Sequence, residues 1–176
     1  MSVTAAAAAI TDHTRWVDDF PSPGIRFADL TPTLADATTF RAIVDAIAES
    51  APGDVDLVAG VDARGFLFGA AAAAVMDTGV LAVRKSGKLP PPVRSCSYTL
   101  EYGSGTLEIP LELDLRGRKA LVVDDVLATG GTLWATKELL KMADVEVVGI
   151  TVAIELTELQ GRDRLAPTPV SALLAI

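Results

Sequence analysis

Cysteine and histidine are nearly absent from the chain: Cys96 and His13 are the single examples among 176 residues. One cysteine excludes an internal disulfide and leaves no thiolate cluster for a metal. His13 lies in the N-terminal segment, far along the chain from every motif described below, so catalysis by a Ser-His or Cys-His pair is not expected. Long apolar runs are missing too. The stretch Ala70–Met76 is Ala-rich and too short to cross a bilayer, and Ala5–Ala9 lacks the cationic flank of a secretory leader. No membrane partner is expected, and a cytoplasmic location follows. Positive charge is also in deficit. A formal net charge of -8 disfavours nucleic acid as a main partner, because non-specific affinity for it comes from neutralising phosphates.

The acidic chain nonetheless gathers cations in one place. Arg84, Lys85, Lys88 and Arg94 fall within eleven positions that hold no acidic residue. Such a group is commonly a solvated face. Here it follows Leu81–Val83, which reads as the end of a strand, and functional residues of open α/β sheets gather beyond the carboxyl ends of strands. A polyanionic ligand on an acidic protein needs a local cationic site of this kind.

Half of the residues are hydrophobic, and the length, 1–176, is that of a single domain able to bury a sizeable core. Asp36 is placed to cap a helix over Ala37–Glu49, in which Phe40, Ile43, Val44 and Ile47 recur at helical spacing; Pro52-Gly53 breaks it. Leu57–Val61 reads as a short apolar strand, Gly65–Met76 as a helix of small residues and Val80–Val83 as the next strand, which is βαβ grammar. Phe66 and Phe68 are assigned to the core. Leu89–Val93, with three consecutive prolines, is a loop, and the alternating segments around Ser97–Glu101 and Thr106–Leu111 predict an antiparallel hairpin. Lys119–Val123, a helix from Thr132 and a strand within Val145–Leu156 complete the α/β pattern. Asp144 stands where a helix end often has glycine, because Asp tolerates left-handed backbone better than most residues. The Ala-rich N-terminus reads as a helix that is either a dimer arm or frayed.

The densest stretch is Leu121–Thr132, LVVDDVLATGGT. Leu121, Val122 and Val123 form a strand covered on both faces. Asp124 and Asp125 are expected to end it, since in a continuing strand two adjacent aspartates would leave one buried and unpaired. Ala128, Thr129, Gly130, Gly131 and Thr132 then supply a loop and a helix start whose N–H groups can face an anion. Thr132 has two readings, phosphate contact or plain N-cap. The stretch is neither a P-loop, since no Lys follows the second Gly, nor GxGxxG.

LVVDDVLATGGT resembles the phosphoribosyl-pyrophosphate (PRPP) signature of type I phosphoribosyltransferases. ARGFLFG at Ala63–Gly69, VRKSGKLP at Val83–Pro90 and YTLEYG at Tyr98–Gly103 are similar to the adenine-specific branch, with the likeness running from about Phe20 to Leu165. The resemblance implies the type I fold: a mainly parallel central sheet flanked by helices, a small N-terminal hood over about 16–34 and a flexible β flap over about 85–110. It implies purine salvage, with adenine and PRPP giving AMP and pyrophosphate, in a homodimer.

The same resemblance distributes roles. Asp124 and Asp125 would accept hydrogen bonds from the ribose hydroxyls, and Ala128 to Thr132 would hold the 5′-phosphate. Asp62, Ala63 and Arg64 occupy the position of the pyrophosphate loop, where a cis peptide between Asp62 and Ala63 is expected. Arg84, Lys85 and Lys88 would neutralise pyrophosphate, one or more of them across a subunit boundary. Mg²⁺ is the implied cofactor, held mainly through PRPP and water with no direct protein ligand. Glu101 and Tyr102 resemble the catalytic pair on the flap, with Arg64 as third member; Glu101 would exchange a proton with adenine, the other reading being a cross-strand surface glutamate. Gly103 and Gly105 would give the flap its turn freedom. The segment FPSPGIRFADL resembles the adenine-binding hood, which points to Arg26 and Phe27, while Leu156 either packs on the base or belongs to the core. Ala28 departs from the family, which commonly has Arg there. Two other functions share many of these residues: transfer to guanine, hypoxanthine or xanthine, against which YTLEYG and ARGFLFG argue, and a PRPP-sensing regulator, which would be expected to carry a nucleic-acid-binding module or basic face.

Overall fold

A computed structural model describes residues 3–100 and 103–176. The chain opens with α1 (Val3–His13), a two-stranded antiparallel sheet of β1 (Arg15–Val17) and β2 (Phe27–Asp29), and the helices α2 (Thr31–Ala35) and α3 (Ala37–Glu49). Then follow β3 (Leu57–Val61), α4 (Gly65–Val75), β4 (Gly79–Lys85), the hairpin β5 (Val93–Leu100) and β6 (Gly103–Pro110), β7 (Lys119–Leu127), α5 (Gly131–Lys141), β8 (Glu146–Glu155) and β9 (Val170–Ala175). The main sheet has seven strands in the order β5-β6-β4-β3-β7-β8-β9. From β4 to β9 neighbouring strands are parallel, and the hairpin joins antiparallel to β4.

Period-2 alternation divides the core between the two faces of this sheet. Leu57, Ala59 and Val61 of β3 and Ala120 and Val122 of β7 share one apolar cluster with Leu133, Ala135, Leu139 and Leu140 of α5. Val58, Leu121 and Val123 point into the other cluster, with Ile43 and Ile47 of α3 and Phe68 and Ala72 of α4. Asp36 caps α3 as expected, its Oδ1 accepting from Thr39 N–H at 2.8 Å. The hydrogen bonds from Thr39 also hold the Asp36 carboxyl below its usual range. Asp144 has φ +56° after α5, and the peptide between Asp62 and Ala63 is cis, both as expected.

The N-terminal helix is not frayed within its described length. Ala6 and Ile10 are fully buried and pack with Ile43, Ile47 and Leu173, so α1 docks on its own chain.

Two strands run further than the sequence pattern indicates. β4 continues to Lys85 because β6 takes over its hydrogen bonding beyond β3, Arg84 facing Glu108 and Lys85 facing Leu107. β7 does not stop at Asp124; it continues to Leu127 paired with β8, although its pairing with β3 ends at Val123. The expected penalty is only partly offset: each aspartate finds one contact, while burial still pushes the Asp124 carboxyl above its usual range. Asp125 extends the Leu121–Val123 face and meets Arg64 at the start of α4, while Oδ1 of Asp124 accepts from the N–H of Asp125 at 2.9 Å.

Phe68 is buried as expected, but Phe66 is only half-buried, with the Arg84 guanidinium 5.7 Å above its ring. Gly105 is not a turn residue. It pairs with Tyr98 across the hairpin, and a Cβ there would lie 2.6 Å from the Tyr98 ring.

Candidate active site

The connections that follow β3, β4, β7 and β8 leave the same edge of the sheet, the edge where open α/β folds place their ligands. After β3, Asp62 turns its carboxylate toward the next strand. Its Oδ2 accepts from Arg84 Nε at 3.3 Å and from Lys85 N–H at 3.4 Å, so the pyrophosphate-loop candidate and the cationic cluster are joined through one carboxylate. Ala63 is exposed beside it, as are the side chains of Lys85 and Lys88.

Arg64 is the most connected residue of the site. Nη1 donates to the backbone oxygen of Ala28 at 3.0 Å, Nε lies 2.6 Å from Asp125 Oδ2, and the guanidinium sits 5.1 Å from the centroid of the Phe27 ring. The fork of an Arg side chain permits this combination, whereas a Lys ammonium offers no planar face. One side chain therefore ties the β1–β2 segment to the strand carrying the aspartates.

Asp124 and Asp125 are buried at 7% and 8% exposure. Burial, and then the charge of Asp125, push the Asp124 carboxyl well above the usual carboxylate range; the Asp125 N–H and the more distant Arg64 oppose that shift. Neighbouring carboxylates of this kind suit a ligand that donates hydroxyl hydrogens, since such donors favour the ionised form.

The loop after β7 turns into α5 through Gly130, which has φ +77° and serves as N-cap without a side-chain bond. The first intrahelical bond closes from Trp134 N–H to Gly130 O, so the N–H groups of Gly131, Thr132 and Leu133 have no acceptor within the helix. That is the local requirement for an anion site. Thr132 is not the N-cap; its hydroxyl lies 3.5 Å from the Tyr98 hydroxyl, next to the hairpin. Behind the loop sits Gly161. A Cβ on Gly161 would fall 2.1 Å from Ala128 O, and one on Gly130 would fall 2.4 Å from Gly161 O, so the two backbones are in direct contact.

Beside Ala128 and Thr129 opens a cavity of about 580 Å³, lined also by Trp16, Ile25, Arg26, Leu156 and Glu158. It brings Arg26 and Leu156 to one place, although they are separated by most of the chain. Phe27 is not among the lining residues; it lies edge-on to Phe20 with ring centroids 5.1 Å apart and under Arg64. Arg26 covers Trp16, its guanidinium 4.7 Å from the ring centroid. Ala28 is buried, and its backbone oxygen rather than its side chain reaches the site. Glu101 and Tyr102 lie outside the described residues.

The model of the phosphoribosyl transferase domain family matches residues 33–170. An adenine phosphoribosyltransferase of Rhodococcus jostii is 56% identical over 174 residues, 98% of each chain. The chain belongs to the adenine phosphoribosyltransferase family. Among solved members, the enzyme of Thermoanaerobacter pseudethanolicus superposes with a TM-score of 0.93 at 40% identity, covering 97% of this chain and 99% of that one. The Saccharomyces cerevisiae adenine phosphoribosyltransferase, solved with an imino-altritol bisphosphate and adenine, gives 0.90 at 33% identity, over 97% of this chain and 99% of that one.

Within this adenine phosphoribosyltransferase fold, the residues that sequence patterning does not reveal are those brought in by tertiary structure alone. Trp16 and Glu158 carry no motif and line one cavity only because of how the chain folds. Gly161 stands in an unremarkable GRDRL segment, and its closeness to the anion loop is a property of the folded backbone.

Proposed function

We propose that the chain transfers the phosphoribosyl group of PRPP to adenine, giving AMP and pyrophosphate. The observation that carries this reading is the adjacency of a helix start with unpaired N–H groups to a cavity roomy enough for a base, Ala128 and Thr129 lying in the loop that leads to the one and lining the other. A ribose 5-phosphate seated on Ala128 to Thr132 places its ring against Asp124 and Asp125, with C1′ toward the cavity. The bond from C1′ to the pyrophosphate oxygen breaks as the bond to adenine nitrogen forms, through an oxocarbenium-like transition state.

In this reading Asp124 and Asp125 orient the ring and Arg64, Arg84, Lys85 and Lys88 stabilise the charge that develops on pyrophosphate. Glu101, with Tyr102, takes the proton lost by adenine, and Arg26, Phe27 and Leu156 form the base site. The carboxylates of Asp124 and Asp125 are hard oxygens, but Asp125 Oδ2 already lies 2.6 Å from Arg64 Nε, so Mg²⁺ would be held through PRPP and water. Mg²⁺ supplies charge neutralisation of pyrophosphate when bound. A reduced, buried Cys96 is in keeping with a cytoplasmic setting.

A homodimer is part of the same proposal. The helix α4 is apolar on all sides, yet only Phe68, Gly69, Ala72 and Ala73 of its middle are buried in the chain, while Leu67 and Val75 remain 52% and 45% exposed, as does Val80 of β4 at 49%. A helix that is hydrophobic all round belongs between two covers.

The experiment is pyrophosphate release with Mg²⁺ and PRPP, with adenine, guanine, hypoxanthine, xanthine or no base in parallel. Release with adenine alone is expected. Release with another purine corrects the substrate, and binding of PRPP without release with any base transfers the proposal to a PRPP-binding regulator.

A further inference from the structure

Glu108 of β6 is 8% exposed and has no part in the chemistry above. Its two oxygens are taken by consecutive residues of the turn after β4: Oε1 accepts from Ser86 Oγ at 2.6 Å and Oε2 from Gly87 N–H at 3.0 Å. The same turn is held once more by β6, where Thr106 O accepts from Ser86 N–H at 2.9 Å. Gly87 has φ +77°, so the turn adopts a backbone that these bonds must maintain.

Ser86 and Gly87 are the residues between Lys85 and Lys88. Both lysines are exposed, and long cationic side chains on a loose turn lose rotamer freedom when they bind. A turn fixed in advance removes the backbone part of that cost. A carboxylate next to a polyanion site opposes binding through its charge, so its presence is explained by what it holds rather than by the ligand.

We propose that Glu108 is a positioning residue for the leaving group: by holding Ser86 and Gly87 it sets the direction in which Lys85 and Lys88 meet pyrophosphate. This rests on the reading that those lysines contact pyrophosphate. The hydrogen bonds to the Glu108 carboxylate are charge-assisted and short, which suits a fixed support.

The test uses the full chain with Glu108→Ala, Glu108→Gln, Ser86→Ala and Lys85→Ala, measuring KM for PRPP, KM for adenine, product inhibition by pyrophosphate, and Tm. Glu108→Ala is expected to raise KM for PRPP and weaken pyrophosphate inhibition about tenfold, as loss of a hydrogen-bonded charged group does, with KM for adenine within about twofold. Glu108→Gln restores most of the affinity, because an amide can accept from Gly87 N–H and donate to Ser86 Oγ. An unchanged KM for PRPP in Glu108→Ala overturns the proposal, and so does an equal rise in both KM values, which marks a merely structural role. Should Glu108→Ala not fold, Ser86→Ala decides: a rise of about threefold in KM for PRPP supports the proposal, and none overturns it. Lys85→Ala separates the two levels. If it weakens pyrophosphate inhibition and Glu108→Ala does not, only the positioning role falls; if it leaves inhibition unchanged, the assignment of the lysines falls and the positioning role with it.

Discussion

The Arg64 guanidinium approaches Asp125 to 2.6 Å through Nε, yet that oxygen, Oδ2, accepts no hydrogen bond from the described residues. The charges are in contact while the N–H is aimed elsewhere. The fork is already engaged with Ala28 O, so Arg64 is held between the two halves of the site rather than committed to the carboxylate.

Arg64→Lys is therefore expected to damage both substrates. An ammonium cannot serve Ala28 O and Asp125 at once or stack on Phe27. KM for adenine and KM for PRPP should each rise about tenfold, from loss of the charged hydrogen bond to Ala28 O at one end and of the close charge contact with Asp125 at the other. Steady-state kinetics with either substrate varied decide it; a rise confined to PRPP would remove Arg64 from the link to the hood.

Asp124 gives the pH prediction. Its carboxyl is pushed well above the usual range by burial and by Asp125. The folded state thus holds this proton more tightly than the unfolded chain, and the contribution of Asp124 to stability falls as pH rises from about 4 toward its elevated value. Asp124→Asn should flatten that fall and raise Tm at neutral pH while weakening PRPP binding. Calorimetry between about pH 4 and 8 checks the sign, and an unaltered slope in the variant would contradict it. Ribose hydroxyls favour the ionised carboxyl, so PRPP binding to the parent chain should release protons and tighten with rising pH through the same window.

Local chemistry explains which parts of this fold can be read from sequence. The Asp36 cap, the Leu57–Val61 strand and the left-handed Asp144 follow from interactions spanning a few residues, and all three are found where expected. Adjacent aspartates look like a strand end because the period-2 rule penalises one of them, and the contact of Asp125 with Arg64, far along the chain, is what lets the strand continue although Asp124 still carries the burial cost. Gly105 reads as flexibility when its neighbour across the hairpin is unknown, but as clearance for Tyr98 once the register is known. The anion loop was legible as LATGGT; its support by Gly161 was not, since backbone contact leaves no side-chain signature.

Gly161→Ala tests that support. The new methyl would meet Ala128 O at 2.1 Å, a contact that must displace backbone on one side. Overpacking of this kind costs about 1–3 kcal/mol, and the displaced group belongs to the anion loop. The expected outcome is a lower Tm together with a rise in KM for PRPP larger than that for adenine. A lower Tm with both KM values intact would show that the loop relaxes without consequence for phosphate.

The exposed face of α4 and β4 yields the last prediction. Leu67 is 52% exposed on a helix whose opposite side carries fully buried Phe68 and Ala72, and Val80 of β4 is exposed at 49%. Specific interfaces bury about 800 Å² per partner, and their centres exclude unpaired charge. A glutamate at Leu67 would bring that charge into the middle of the proposed contact, where desolvation of an unpaired carboxylate costs several kcal/mol, while in a monomer it would simply face water. Sedimentation should therefore show a dimer for the parent chain and a monomer for Leu67→Glu, with Tm for the monomer independent of concentration. Because β4 also carries Arg84 and Lys85, a monomer with undiminished PRPP affinity would retain the dimer proposal but exclude any contribution of these cations across the subunit boundary.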